Sequence, residues 1–239
     1  MNEIFEHSNE SMTRELTRDF FKKVYGYMFM ALMISGAVSY YIGVSPEVFA
    51  SIFINETTGK LSPMFYVIMF APVGLGLLIQ MKYRSFSIPV LTFMFIAYAA
   101  LIGLSLSYIF LIYSAATIAS AFFVAAGAFA GMAILGYTTK TDLTKFGSLL
   151  YMVFIGMFIA AIVNLFIQND MMGFIISVIG VFVFTGLTAY WMQQLKNIAG
   201  DSMIDGVDRQ KLALVGGLNL YILFINLFLS LLRIFGSRD

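Results

Sequence analysis

Three polar side chains recur at intervals of seven in an otherwise apolar C-terminal segment, LNLYILFINLFLSLLRIFG: Asn219, Asn226 and Arg233. Seven residues make nearly two turns of an α-helix, so the three side chains share one stripe. Such a stripe either hydrogen bonds its helix to neighbouring helices or lines a polar pathway. Asn164, in another apolar segment, leaves the same alternatives open. Arg233, near the end of its segment, can also extend to the aqueous boundary.

Few other side chains could act as acids, bases, nucleophiles or metal ligands within the apolar segments. The chain has no cysteine and a single histidine, His7, in its polar N-terminal segment. All 13 acidic residues lie outside the apolar segments, with only Asp170 at the edge of one. Carboxylate, histidine or thiolate chemistry within the apolar segments is therefore excluded. We predict no catalytic residue, no metal site and no cofactor, and hence no enzyme.

The composition places the apolar segments in a lipid bilayer. Of the 239 residues, 60% are hydrophobic and 11% are charged, and the mean hydropathy is +0.89. A water-soluble domain of this length needs about 25% charged residues to cover its surface. The bilayer is therefore the main predicted partner. The net charge of +1 gives no indication of nucleic-acid binding.

Apolar windows long enough to cross a bilayer, roughly 20 residues each, occur seven times. They cover residues 24–44, 61–81, 86–106, 115–136, 147–168, 171–190 and 212–235. The sequence therefore predicts an all-α integral membrane protein with seven transmembrane helices. We expect an N-terminal tail over residues 1–23, a transmembrane domain over residues 24–235 and a C-terminal tail over residues 236–239.

The placement of lysine and arginine predicts the orientation. With the N-terminus in the cytoplasm, 11 of the 14 basic residues fall in cytoplasmic segments, and only Lys60, Arg233 and Arg238 fall outside. Cytoplasmic loops of membrane proteins carry an excess of basic residues. We therefore predict an N-in, C-out topology with a cytoplasmic N-terminal tail.

Small residues at a spacing of four predict where helices approach closely. Gly127 and Gly131 form a GxxxG pattern in the fourth span, and Gly156 and Ala160 repeat the small-xxx-small spacing in the fifth. Such residues let helix backbones come together in lipid. We expect both pairs to lie in helix–helix contacts.

Three stretches of the chain resemble one known family. Residues 134–166, ILGYTTKTDLTKFGSLLYMVFIGMFIAAIVNLF, are similar to the central block of the bacterial branch of the Bax inhibitor-1 family. The stretches GLTAYWMQQLKN and LNLYILFINLFLSLLRIFG resemble that family's sixth and seventh helices. The order and spacing of these blocks agree with the family over nearly the whole chain.

The resemblance implies a fold, a location and two functions. The implied fold is a seven-helix bundle in which the other six helices enclose the last one. The implied location of bacterial members is the inner (plasma) membrane. One implied function is a pH-responsive leak for calcium ions. The other is a role in membrane-protein quality control, through a membrane protease or the translocon.

The chain departs from the family at two positions. Leak-competent members typically pair an aspartate on the sixth helix with one on the seventh, and two such carboxylates share a proton and can sense pH. In this sequence Trp191 stands in the first position (YWMQQ) and Leu223 in the second (LYILFINLF). Neither side chain titrates or binds a divalent cation. One hypothesis is that the two pack as an apolar plug between helices six and seven, favouring one conformation at every pH.

Two functions therefore stay open. The first is a channel-like ion leak that keeps the family fold without its pH sensor. Asn164, Asn219, Asn226 and Arg233 are then the candidates for lining its pathway. The second is a non-conducting regulator that binds a membrane protease or the translocon. The missing carboxylates favour the second function, and the family resemblance favours the first.

Overall fold

The computed structural model describes residues 2–55, 58–201 and 203–236, with side chains from residue 14 onward. These residues form helices joined by turns and short loops. In chain order the helices are α1 (Asn2–Gly43), α2 (Pro46–Phe53), α3 (Pro63–Lys82), α4 (Ile88–Leu106), α5 (Ile109–Ile112), α6 (Ala115–Thr138), α7 (Thr144–Ile167), α8 (Asp170–Gly200) and α9 (Gly206–Phe235). The prediction of an all-α membrane protein is confirmed.

Seven spans in the described part of the chain are long and apolar enough to cross a bilayer, which confirms the predicted number. They are Arg14–Gly43, Pro63–Lys82, Ile88–Ile112, Ala115–Thr138, Thr144–Ile167, Asp170–Gly200 and Gly206–Phe235. Two short helices were not predicted. α2 follows the first span and begins at Pro46, whose fixed φ suits the first turn of a helix. α5 extends the third span beyond α4.

The predicted N-terminal tail and the first span form one continuous helix. α1 passes through the expected boundary at residue 23, because the sequence there, DFFKKVYGY, contains no proline to interrupt it. No break in the helix therefore marks the start of the membrane span. The N-in, C-out orientation stays a prediction. Residues 237–239 of the predicted C-terminal tail lie outside the described residues.

The helices group into two compact units. One comprises residues 18–114 and 203–218, and the other comprises residues 1–17, 115–202 and 219–239. In the first unit, Gly103 of α4 lies against the backbone of Ser35 in α1, where a larger side chain would collide. The Ser105 hydroxyl donates a hydrogen bond to the Ile68 carbonyl of α3 at 3.0 Å. A glycine contact and a polar contact thus join α4 to its two neighbours.

In the second unit, α8 packs against both α6 and α7 through glycine. Gly136 of α6 faces the backbone of Ala189 on α8. Gly147 of α7 lies beneath the ring of Tyr190, and Gly186 of α8 faces α7 in turn. A Cβ atom at any of these three glycines would overlap the neighbouring helix. Backbone contact at Gly136 and side-chain contacts at Gly147 and Gly186 therefore hold α8 against α6 and α7.

The predicted small-residue motifs do not mediate these contacts. No neighbouring atom lies within 4 Å of the Cβ position at Gly127, Gly131 or Gly156. The expectation that these three glycines pack helices together is therefore wrong within the described chain. The physical reason is the face on which each residue lies. Gly136 follows Gly127 by nine residues, which is two and a half turns, so the two project from opposite sides of α6.

The last helix is the most buried of the seven spans. In its most apolar stretch 72% of the residues are buried, compared with 11% in α7. This burial agrees with a helix in the interior of a bundle. The arrangement of the other six helices around it stays a prediction.

The contact between α6 and α8 predicts a specific effect of one methyl group. Gly136→Ala places a Cβ atom into the backbone of Ala189, so we expect a loss of about 1–3 kcal/mol in the free energy of unfolding. Thermal unfolding in detergent measures this loss. Gly131→Ala is the matched control, because it adds the same methyl group in open space. Equal unfolding temperatures for the two variants would contradict the packing.

Candidate functional site

Five residues of α9 share one face of the helix. Asn219, Leu223, Asn226, Ser230 and Arg233 follow each other at alternating intervals of four and three, which is the spacing of helix-surface neighbours. We call this set the α9 stripe. It places Leu223 among the predicted polar residues; Leu223 is one of the two positions at which the family resemblance predicts an acid, which we call the sensor positions. It also includes Ser230, which lies between Asn226 and Arg233 and was not predicted as a member of the stripe.

The α9 stripe packs against α8 through two further glycines. The Ser230 Oγ lies 2.6 Å from the Cβ position of Gly180, and the Arg233 guanidinium fills the space that a side chain at Gly173 would need. Gly173 and Gly180 are seven residues apart and therefore share one face of α8. Arg233 is half-buried against α8, so part of its side chain packs within the protein.

The hydrogen bonds recorded for Asn226 and Ser230 run along α9. The Asn226 Nδ2 donates to the Ile222 carbonyl at 2.8 Å, and the Ser230 hydroxyl donates to the Asn226 carbonyl at 2.8 Å. Both acceptors lie one turn earlier in the same helix. The bonds recorded for Asn226 and Ser230 thus lie within α9 and join it to no neighbouring helix.

Asn219 differs from Asn226. Its side chain is only 7% exposed, and its Nδ2 has no hydrogen-bond partner. A buried donor without a partner costs about 1–3 kcal/mol. Asn219 thus carries a buried side-chain donor with no recorded partner, and hydrogen bonding to a neighbouring helix does not account for it.

Asn164 shapes the turn between α7 and α8. Its Oδ1 accepts the Asn169 N–H at 3.1 Å, and its carbonyl accepts the Gln168 N–H at 2.8 Å. Gln168 has a φ of 55°, in the left-handed region that commonly ends helices. The Asn169 side chain then caps α8 by accepting the Met172 N–H at 2.9 Å. The recorded bonds of Asn164 thus stabilise the turn between α7 and α8. The sequence did not predict this role, because Asn164 lies in an apolar segment.

Trp191, at the other sensor position, hydrogen bonds with α7. Its Nε1 donates to the Tyr151 hydroxyl at 2.7 Å. The Tyr190 ring lies edge-on to both neighbours, with centroids 6.2 Å from those of Tyr151 and Trp191. Leu223 is buried, at 6% exposure. The plug of Trp191 against Leu223 stays a prediction, because the contacts recorded for Trp191 are with Tyr151 and Tyr190.

The end of α8 holds the loop between α6 and α7. The Gln193 amide is buried and makes two bonds with the loop: its Oε1 accepts the Leu143 N–H and its Nε2 donates to the Thr141 carbonyl, both at 2.8 Å. Lys196 Nζ donates to the Tyr137 carbonyl at 2.7 Å. Sequence reasoning missed these residues, although a glutamine pair at the end of an apolar span was a visible signal.

Charged residues at other helix ends also bond with nearby backbone or side chains. The Asp142 carboxylate accepts the hydroxyl and the N–H of Thr144 at 2.6 and 2.9 Å, and these bonds lower the pKa of Asp142. The hydrogen bond from Arg84 to the Tyr83 hydroxyl raises the pKa of Arg84. Lys211 Nζ donates to the Arg84 carbonyl at 2.8 Å.

Among the described residues, no three histidine, cysteine or acidic side chains gather as metal ligands.

Comparisons with known proteins agree over most of the chain. The family model described as inhibitor of apoptosis-promoting Bax1 matches residues 17–239. The inner membrane protein YbhL of Escherichia coli K12 is 41% identical over 220 residues, covering 90% of each chain. A protein of Borreliella burgdorferi is 40% identical over 219 residues, covering 92% of each chain. A membrane protein of Streptococcus pyogenes is 35% identical over 230 residues, covering 92% of this chain and 93% of its own.

The two asparagines of the α9 stripe are expected to respond differently to an apolar substitution. Asn219→Leu removes a buried donor that has no partner, so we expect it to raise the free energy of unfolding by about 1 kcal/mol. Asn226→Leu is the matched control and should give a smaller change, because its amide is already bonded within α9. Thermal unfolding in detergent compares the two. A loss of stability in Asn219→Leu alone would show that the Asn219 amide has a partner.

Proposed function

The chain belongs to the Bax inhibitor-1 family, and we propose that within this family it is a non-conducting regulator of other membrane proteins, not a proton-switched calcium leak. The family resemblance inferred from the sequence is confirmed over residues 17–239. The protein is a multi-pass inner-membrane protein, with seven apolar spans and a relative named for that membrane. The proposal assigns it no catalytic step.

The observation that carries the proposal is the loss of an ionisable group from both sensor positions. Two carboxylates held close together share a proton and change charge as the pH changes. Trp191 and Leu223 carry no titratable group. Trp191 is bonded to Tyr151 instead, and Leu223 is buried. Neither position therefore offers a site at which a proton could bind and drive opening.

The packing of the α9 stripe also supports a protein that does not conduct. Ser230 and Arg233 lie against Gly180 and Gly173, so the two helices are close at these points. Asn226 and Ser230 direct their recorded hydrogen bonds along α9. Calcium takes six to eight oxygen ligands, usually with carboxylates among them, and the stripe contains no carboxylate.

The partner that we propose is a membrane protease or a component of the translocon, as the family resemblance implies. Regulation by contact needs neither a pathway nor an ionisable sensor. It is therefore compatible with the substitutions at both sensor positions. It is also compatible with the close packing of α8 and α9.

An ungated ion leak is the second candidate, and the Asn219 amide favours it. This donor is buried in the α9 stripe without a partner, as a group that donates to water in an open, hydrated state would be. Such a leak would lack the pH response of an acid pair. Its flux would depend on Asn219 more than on Asn226, whose amide is already satisfied.

Calcium flux into dye-loaded liposomes separates these functions. The proposal predicts no flux through the natural protein at about pH 6 or about pH 8, whereas rebuilding both acids as Trp191→Asp with Leu223→Asp should produce a pH-dependent leak. The matched control is Trp191→Asn with Leu223→Asn, which makes similar changes in size and polarity without a titratable group. It should show no pH response.

Each outcome decides between the alternatives. Flux through the natural protein at both pH values would contradict the proposal and support the ungated leak. Flux through the natural protein at only one pH would contradict both candidates, because it requires a proton-binding site elsewhere. Silence of the natural protein together with a leak in the acid pair would support a channel scaffold that has lost its sensor.

A further inference from the structure

α7 exposes most of its surface, and the residues that join it to α8 lie close together near its start. It is the least buried of the seven spans, with 11% of its most apolar stretch buried. Gly147, Leu150 and Tyr151 each contact α8, within a run of five residues. The first two contacts are apolar, and the third is a hydrogen bond to Trp191. The Phe154 ring also packs against Phe184, with centroids 6.0 Å apart, so the start of α7 is joined to α8 over about two turns.

Farther along, the same two helices separate. A groove of about 760 Å³ lies between them, and its lining includes Val153, Gly156 and Ala160 of α7 and Ile175 and Ile179 of α8. Open space surrounds the Cβ position of Gly156. The hairpin at the end of α7 then joins the helices again. α7 is thus attached to α8 at both ends of a groove.

We propose that the hydrogen bond from Trp191 to the Tyr151 hydroxyl fixes the position of α7 against α8 at the end of this groove nearer the start of α7. Tyr151 is then a positioning residue, acting through Trp191. The inference goes beyond the proposed function and does not rest on it, because the contact would position α7 in a conducting protein as well.

The directionality of a hydrogen bond is the reason for assigning this role to Tyr151. The glycine contact at Gly147 permits close approach, and an interhelical hydrogen bond adds a directional contact to that packing. An indole N–H has one donor direction and needs an acceptor in an apolar environment. The Tyr190 ring stands at 89° to Tyr151 and at 72° to Trp191. It lies edge-on to both rings and helps to set their orientation.

Tyr151→Phe tests this role, because it removes only the acceptor hydroxyl. Trp191 is the single tryptophan of the chain, so the resonance Raman band that reports indole N–H hydrogen bonding comes from this residue alone. Spin labels at Ile155→Cys and Phe182→Cys, both exposed, measure the separation of α7 and α8 in a chain that has no natural cysteine. Tyr190→Phe is the matched control, since it removes a neighbouring hydroxyl that is not the acceptor.

We expect Tyr151→Phe to move the Raman band to the position of a free N–H and to broaden the distance distribution, while Tyr190→Phe changes neither. An unchanged band in Tyr151→Phe would overturn the hydrogen bond. A shifted band with an unchanged distance distribution would overturn the positioning role. Trp191→Phe removes the donor and keeps an aromatic ring, so it repeats the distance test if Tyr151→Phe does not fold.

Discussion

Helices in lipid gain little from burying apolar side chains against one another, so this fold depends on how closely their backbones can approach. α8 satisfies this constraint on three sides. Its contacts with α6, α7 and α9 each include a glycine, at Gly136, Gly147 and Gly180 respectively, where a Cβ atom would collide with the facing helix. The second unit of the protein is therefore organised around α8, and the positions of its functional side chains follow from that packing.

The same packing determines which polar groups remain available for function. Asn226 bonds along α9, and Trp191 bonds with Tyr151. Leu223 is buried without any ionisable group. The chain belongs to its family, and it carries neutral side chains at the two positions where the family resemblance predicts an acid pair. A regulator that acts by contact, as proposed here, needs the scaffold and not the sensor.

The amino-acid sequence predicts features that average over a whole helix, and it predicts less well those that depend on one face. Hydropathy over about 20 residues identified all seven spans, and α9 ends at the predicted Phe235. The GxxxG motif at Gly127 gave a wrong prediction of a helix contact. The spacing of two glycines shows that a helix face permits close packing, but it does not show that another helix packs on that face. Gln193 and Asn164 bond to loop backbone. Their partners depend on turns whose geometry only the folded chain defines.

The central claim is that α8 and α9 keep one arrangement at every pH, because the two sensor positions carry no ionisable group. The absence of natural cysteine allows a direct measurement with spin labels at Phe182→Cys on α8 and Phe235→Cys on α9. Distances between the labels are to be compared in lipid at about pH 6 and about pH 8, the range over which a paired carboxylate would respond. The account predicts one distance distribution at both pH values. A shift in distance, or a second population at the lower pH, would contradict it.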